Sequence, residues 1–400
     1  MALLSVLFVY FGYFVAMRIF QRRSPDWRTQ NKSKIENYTP AISLIIATYN
    51  EETTLPRKFQ NLIDLDYPPD KLELVFVDSG STDKTCEYIE NFIKQNPQVS
   101  TIFICENERF GKSHALNIAY PKATGSIKII SDADAILERS ALRNIVQNFS
   151  NPAIGAVCGR QVLLNPDENS STLLEKSYRG IYEVLRQGES ALDSTPIFHG
   201  ELSAYRSDLI DPLPENKSAD DSRLANVIRQ KGYRSVYDAS AVFYEFAPPN
   251  GASRRLQKVR RGQGLIRVFW DCRRCLFNRK YGKYGTVIFP MEFFMHSIFP
   301  SFFLFFMGVF LVALALYNPL VMVLLVTILL GVVGLSRLKS NLNILNQMIC
   351  FSSILTTFMG SQLILLNAMV LWLLGHSLHK WQKVDDVRKE WHKQENAGAI

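Results

Sequence analysis

The 400-residue sequence predicts an α/β protein with a mostly parallel sheet, followed by transmembrane α-helices. Three observations carry this. Between residues 40 and 150, apolar runs of strand length alternate with amphipathic stretches, the pattern of a sheet covered on both faces by helices. Residues 286–375 are dominated by long uncharged apolar runs. Several of the short apolar runs also end alike, in polar residues that include a carboxylate.

Composition sets the outer limits. The length admits two or three domain-sized units. Hydrophobic residues make up 47%, unevenly: residues 25–285 read as a soluble α/β protein and 286–375 as apolar segments. The net charge of +8 is distributed in a way that suits anionic lipid and a diphosphate, and no nucleic-acid partner is expected. The six cysteines (Cys86, Cys105, Cys158, Cys272, Cys275 and Cys350) are scattered, several of them in strand-like runs, as expected of reduced thiols in a cytosol. Cys272-x-x-Cys275 has no second pair at zinc spacing and reads as structural.

Taken in order, Ala2 to Met17 is apolar and is followed by Arg18, Arg22, Arg23 and Arg28, without a basic leader or a small-residue cleavage site. It reads as an uncleaved anchor, extended by Ile19 and Phe20 if Arg18 snorkels, with its C-terminal end in the cytoplasm. Ile42–Ala47, Leu72–Val77, Thr101–Cys105 and Ile127–Ser131 read as strands. Thr53–Leu65 and Ser81–Gln95 read as helices, the second capped by Ser81 or Thr82. Beyond residue 150, Ala153–Leu164 and Ile197–Tyr205 are expected strands around a long helix, Ser171–Glu189, and Asp220–Lys231 is a further helix.

Residues 254–283 hold eleven Lys or Arg against one acid, Asp271, and lead straight into the apolar zone, which predicts a basic face at the cytoplasmic membrane surface. Val287–Leu316 can span, with an interfacial start near Pro290-Met291-Glu292, and Leu320–Ser336 is a second charge-free run. Asn341–Gly375 is too long for one straight span, and Asn341, Asn343, Asn346 and Gln347 predict an interfacial helix followed by a span at Thr356–Leu374. Four spans would put the tail outside, although its Lys380, Lys383, Arg388, Lys389 and Lys393 favour the cytoplasm; a re-entrant hairpin within 341–375 would reconcile the two. The expected units are an anchor (1–22), a catalytic domain (38–252), a basic interfacial segment (253–285), a membrane domain (286–376) and a charged tail (377–400).

Open parallel sheets bind ligands beyond the carboxyl ends of their strands. Here strand one ends in Thr48-Tyr49-Asn50-Glu51, strand two in Asp78-Ser79-Gly80-Ser81-Thr82-Asp83, and strand four in Asp132-Ala133-Asp134. Each alone reads equally well as a turn or a helix cap. Their coincidence at one rim points to a ligand, and paired carboxylates point to a metal ion.

Further short motifs follow in order: Gly111-Lys112-x-x-Ala115-Leu116-Asn117, Gly200, Asp220-Asp221-x-x-Leu224 and Gln257-x-x-Arg260. Over residues 40–265 the chain resembles the membrane-embedded inverting glycosyltransferases of family 2, which have a GT-A type nucleotide-sugar domain. The resemblance implies transfer of a sugar, with inversion, from a nucleotide-diphosphate-sugar to a lipid-linked or glycan acceptor. The donor would be a UDP-sugar ahead of a GDP-sugar, the metal Mg²⁺ or Mn²⁺, and the enzyme a multi-pass protein of the cell membrane, in contact with its lipids and with a cytoplasmic catalytic domain. It assigns Asp134 to the metal, and Asp132 to the ribose and the metal site. Asp78 would meet the base, with Thr48, Tyr49 and Glu51 lining the nucleoside pocket and Lys112 approaching the nucleotide. Asp221 would be the general base, with Asp220 as its supporting neighbour, and Gln257 and Arg260 would hold the diphosphate.

His199 and Gly200 would lie on the acceptor side. Asp221 has a second reading, because Ser218-x-x-Asp221 resembles a capping box and a helix N-terminus lowers a carboxylate's pKa. The family's Trp after the arginine is replaced by Arg261, which argues against a processive polysaccharide synthase of the cellulose or hyaluronan kind, and Trp270 is too far along to be assumed a substitute. Rivals of other classes are a catalytically silent nucleotide-sugar-binding scaffold and a transporter. The second has little support from an apolar zone whose only ionisable residues are Glu292 and His296 at its start and Arg337 and Lys339 between runs.

Overall fold

The computed structural model describes residues 2–23, 38–165, 170–215, 217–246, 251–335 and 343–376. After the helix α1 (Ala2–Arg23), the chain runs β1 (Ile42–Thr48), α2 (Leu55–Ile63), β2 (Leu72–Ser79), α3 (Thr85–Gln95), β3 (Ser100–Glu106), α4 (Lys112–Lys122) and β4 (Ile127–Ser131). It continues as β5 (Ile136–Leu137), α5 (Ala141–Gln147), β6 (Ile154–Leu163), α6 (Ser170–Leu192), β7 (Leu202–Arg206), α7 (Asp220–Gln230) and β8 (Arg234–Glu245). Last come α8 (Gly251–Asp271), α9 (Phe289–Phe293), α10 (Phe299–Tyr317), α11 (Pro319–Leu335) and α12 (Asn343–Leu373), with π-helical turns before and after α9.

The strands form one mixed sheet in the order β3-β2-β1-β4-β7-β6-β8-β5. Its first half is parallel, as the alternating pattern predicts. Period-2 alternation divides each inner strand between two cores: Ile42, Leu44 and Ile46 face α2, α3 and α5, while Ile45 faces α4. Both faces are covered, which is why these runs are continuously apolar. The second half departs from expectation. β7 is antiparallel to both β4 and β6, and β8, which was not anticipated, pairs parallel with β6 and antiparallel with β5. The expected strand over Ile197–Tyr205 begins only at Leu202, which frees Ile197–Gly200 as a loop at the sheet's rim.

Two helix starts also differ. α3 opens at Thr85 rather than Ser81, and Asp83 accepts the Thr85 amide at 3.0 Å. α7 is preceded by Ala219 in the left-handed region (φ 63°), with no side-chain cap, so the capping-box reading of Ser218 and Asp221 does not hold.

Among the described residues, two helical stretches are long and apolar enough to cross a membrane, by length and composition: Tyr284–Tyr317 and Thr356–Leu373. The second agrees with the span expected at Thr356–Leu374, but it continues without a break from Asn343 in the 31-residue helix α12 rather than following a separate interfacial helix or forming a hairpin. The tail 377–400, residues 336–342 with Arg337, Lys339 and Asn341, and Arg28 lie outside the described residues. The basic segment is not a solvated face throughout. Arg254 and Lys258 of α8 reach Glu175 of α6 at 3.1 and 2.8 Å, and Arg179 meets the same carboxylate at 3.1 Å. Burial opposes the charge on Glu175, but these three cations outweigh it and lower its pKa to about 2.

Helix α1 packs on α6 through Tyr13 and Met17, which contact a cluster containing Leu185 and Met295. The crossing is close because residue 188 is glycine; a Cβ there would stand 2.3 Å from the Met17 carbonyl oxygen. Gly188→Leu should therefore push α1 away and cost about 1–3 kcal/mol, read as a lower unfolding temperature of the full-length chain and faster proteolysis at its N-terminus.

Candidate active site

Beyond the carboxyl ends of β1, β2 and β4 lies an open cleft of about 200 Å³, closed on its far side by the segment before α7 and by α8. Of the residues anticipated from sequence, Thr48, Tyr49, Glu51, Lys112, Asp132, Asp134, Gly200, Asp220, Asp221, Gln257 and Arg260 all line it. Six carboxylates and four cationic side chains face the cleft, a formal excess of two negative charges.

One end is built by the first two strand ends. Asn50 adopts a left-handed conformation (φ 54°), its amide donates to Ser81 Oγ at 2.7 Å, and its side-chain oxygen accepts from the Thr82 amide at 2.8 Å. Asp78 is fully buried behind this rim, accepting from Thr48 Oγ1 at 3.1 Å and from the Ser81 amide at 2.8 Å, and it does not line the cleft. Glu51 is engaged locally, accepting from Thr54 Oγ1 at 2.6 Å. Arg109, which the sequence reading did not single out, stacks its guanidinium 4.0 Å above the Tyr49 ring and forms part of the wall.

The middle is the Asp132-Ala133-Asp134 turn. Lys112, at the first position of α4, reaches Asp132 Oδ1 at 2.5 Å. Burial works against the lysine's charge, but Asp132 and Asp220 prevail and hold its pKa above the ordinary value. Burial pushes Asp132 up to about 6; Lys112 opposes the shift and the nearby Glu201 and Asp134 reinforce it. The turn is anchored from behind by Lys58 of α2, which is fully buried. Its ammonium donates to Ser131 Oγ at 2.8 Å and to the Ala135 carbonyl at 2.7 Å, tying together the two ends of the turn. Burial lowers its pKa to about 7 against the attraction of Asp132 and Asp134.

At the other end, Asp220 and Asp221 open α7, and α8 brings Arg260 and Arg261 opposite. Asn117 of α4 holds the approach to α7 in place by exchanging hydrogen bonds with the backbone of Leu213 (2.8 and 2.7 Å). Asp221 is 8% exposed, and its Oδ1 accepts from the Ser222 amide at 2.7 Å. Burial raises its pKa to about 7 and Asp220 adds to this, while Arg261 and the amide pull the other way. The desolvation of this helix start outweighs the lowering that its N-terminal position favours. Gly200 sits between the two halves; a Cβ there would lie 3.3 Å from Lys112 Nζ and 3.6 Å from Asp221 Oδ2. Asp220 Oδ2 is buried without a hydrogen-bond partner.

His199 lies beneath the surface rather than in the cleft, against Phe243 and with Nδ1 3.3 Å from Arg261. Burial, reinforced by Arg186 and Arg261, lowers its pKa and keeps it neutral. Its neighbour Glu201, missed from sequence, does line the cleft; Arg261 and Lys112 outweigh burial and keep its pKa low. Trp270 points elsewhere, packing on Phe293 and Trp372 with ring centroids 5.3 and 5.9 Å away. A small second cavity, about 40 Å³, adjoins the cleft, sharing Gln257, Arg261 and Leu265 with it, and runs to Ser361 and Ile364 on α12.

A curled mixed α/β sheet with this acid- and arginine-lined cleft defines a glycosyltransferase of the GT-A fold. Residues 43–213 match the family described as "Glycosyl transferase family 2", so the enzyme carries a family 2 glycosyltransferase domain. The chain is 26% identical over 316 residues to "Probable glycosyltransferase YdaM" of Bacillus subtilis (strain 168), covering 77% of this chain and 72% of that protein. It is 24% identical over 271 residues to "Poly-beta-1,6-N-acetyl-D-glucosamine synthase" of Staphylococcus aureus (strain COL), covering 66% of this chain but only 63% of the synthase's length. Among solved structures it resembles the mannosyltransferase PcManGT from Pyrobaculum calidifontis in complex with GDP-Man and Mn²⁺, at TM-score 0.72 and 29% identity over 93% of this chain and 98% of that one.

Lys58→Met should leave Ser131 Oγ and the Ala135 carbonyl without their shared donor and cost about 1–3 kcal/mol in thermal unfolding. Adding Ser131→Ala should recover part of that loss, because one orphaned polar group is then gone.

Proposed function

We propose that the chain catalyses inverting transfer of a sugar from a nucleotide-diphosphate-sugar to an acceptor presented at a membrane surface. The observation that carries this reading is the pairing, in one cleft, of a buried carboxylate of raised pKa, Asp221, with a second carboxylate turn, Asp132 to Asp134, and an arginine, Arg260. In this reading Tyr49 and Arg109 flank the nucleoside, with Asp78 supporting Thr48 and Ser81 behind it. Asp132 and Asp134 are the residues that would hold a divalent cation. Their oxygen donors suit Mg²⁺ or Mn²⁺, and the cleft's two excess negative charges match its charge. When bound, such an ion supplies charge neutralisation for the diphosphate.

The reacting bonds are then placed by the chain's own groups. The acceptor hydroxyl attacks the anomeric carbon from the face opposite the diphosphate, its proton passes to the Asp221 carboxylate, and the glycosidic C–O bond breaks with its electron pair leaving on the diphosphate. Arg260 and Lys112 meet that developing charge. The charge of Asp220 favours the charged forms of both Lys112 and Arg260.

The likeness to a mannosyltransferase in complex with GDP-Man supports a guanosine-diphosphate donor over the UDP-sugar expected from sequence. The two apolar helices, and the second cavity running from Arg261 to α12, support an acceptor that approaches from the membrane side and carries a lipid. The synthase relative supports a polymerising version of the same chemistry. Arg261, rather than an aromatic platform, beside the acceptor path favours addition of one or a few sugars.

Membranes containing the full chain, given labelled GDP-mannose or UDP-N-acetylglucosamine and lipid extract, should label a lipid from the first donor. Asp221→Asn should lower turnover by about 10²–10⁴-fold while nucleotide binding persists. Full activity in that variant would remove Asp221 as the base. Because the base must be ionised, kcat/KM should fall as pH drops through about 7. A chelator should abolish transfer, and Mn²⁺ should restore it to wild type but not to Asp134→Ala.

A further inference from the structure

On the far side of β2 from the cleft, Asp78 faces two thiols. Cys105 stands on the edge strand β3 as the register partner of Asp78, and Cys86 is the second residue of α3, the helix that follows the Asp78 turn. The two sulfurs are 3.6 Å apart, and a carboxylate oxygen of Asp78 lies with both in a group no wider than 4.8 Å. A disulfide requires about 2.05 Å. Two thiolates on one tetrahedral zinc-like ion, each bonded at about 2.3 Å, are separated by about 3.8 Å. The observed spacing, now that of a thiol–thiol contact, is within a few tenths of an ångström of the separation that a common ion requires. Cys105 is exposed and Cys86 partly so, which gives an ion a way in. Asp78 Oδ2 accepts a backbone hydrogen bond from Ser81, and the Cys86 thiol is hydrogen-bonded to the same carboxylate, a contact that an ion bound between them would replace.

We propose that Asp78, Cys86 and Cys105 form a binding site for a soft divalent cation of the zinc type, with water completing its coordination. This site differs in kind from the oxygen-only turn at Asp132 and Asp134: sulfur ligands select a thiophilic ion, whereas carboxylates and phosphates select Mg²⁺ or Mn²⁺. Binding displaces the thiol protons and draws Asp78 toward the ion, away from Thr48 and Ser81. Because those two residues shape the nucleoside end of the cleft, occupancy opposes donor binding. That consequence, unlike the site itself, rests on the function proposed above.

The test uses the full-length protein and Cd²⁺ as a spectroscopic stand-in for zinc. Titration should give a cadmium–thiolate ultraviolet band saturating at one ion per chain. Each of Cys86→Ser and Cys105→Ser should weaken binding about tenfold or more, and the double variant should lose the band. An undiminished band in the double variant would place the ion on other cysteines, such as Cys272 and Cys275, and overturn the proposal. GDP binding in the presence of Mn²⁺ is measured in parallel. It should weaken when Zn²⁺ is added to wild type and stay unchanged in the double variant. GDP binding that ignores Zn²⁺ while the Cd²⁺ band is present would overturn the coupling alone. Absence of any nucleotide binding would count against the donor-pocket reading, and the Cd²⁺ result would still decide the site.

Discussion

The crowding of carboxylates into one half-dry cleft is the constraint on which the rest of the molecule depends. Asp132, Asp134, Glu201, Asp220 and Asp221 come from three separate stretches of chain and converge on its walls. Such a set is costly unless compensating charge is built in. The compensation also comes from different elements: Lys112 from the start of α4, Arg260 and Arg261 from α8, and Lys58 from underneath on α2. No single segment is self-sufficient, so the cleft exists only when the sheet, α7 and α8 are assembled. The residual pKa perturbations follow from the same geometry. Asp132 and Asp221 are raised because the cations near them do not fully cancel burial and like charge, whereas at Glu201 the attraction of Arg261 and Lys112 outweighs burial.

The parallel half of the sheet was legible because each strand is buried on both faces and therefore written as an unbroken apolar run. Ile127–Ser131 matches its expected bounds, and the other three strands gain one or two residues, all but Ser100 at the polar ends that form the rim. The second half was obscured by its own irregularity. β8 carries Asp238 in mid-strand, where it accepts from Asn148 and from the backbone of Ser240 and Ala241 at a break in the pairing with β6. A buried acid inside a strand defeats any reading by periodicity.

Among site residues, those at strand ends were readable from position. Lys58, Arg109 and Glu201 were not, since their surroundings are supplied by distant segments. In sequence, Lys58 is an ordinary charged residue of an amphipathic helix. Only the fold shows that it points inward to a turn more than seventy residues away. Within the basic stretch 254–283, the pairing of Arg254 and Lys258 was unreadable for the complementary reason: charge density says nothing of the acid, Glu175, that α6 brings to meet them.

The position of α8 links the cleft to the apolar helices. One face of α8 carries Gln257, Arg260 and Arg261; another meets α12, with Ile266 against Ala368. Two glycines make both contacts close. A Cβ at Gly262 would stand 3.3 Å from Leu365, and one at Gly264 would stand 2.7 Å from Ser218 Oγ and 3.0 Å from Ala219 Cβ, just before Asp220. The helix is thus wedged between α12 and the left-handed residue that starts α7. A displacement of α12 along or across α8 must therefore move the arginines relative to Asp221 or open a gap at Gly264, because packed side chains yield little. α8 therefore ties the position of α12 to that of Arg260 and Arg261 in the cleft.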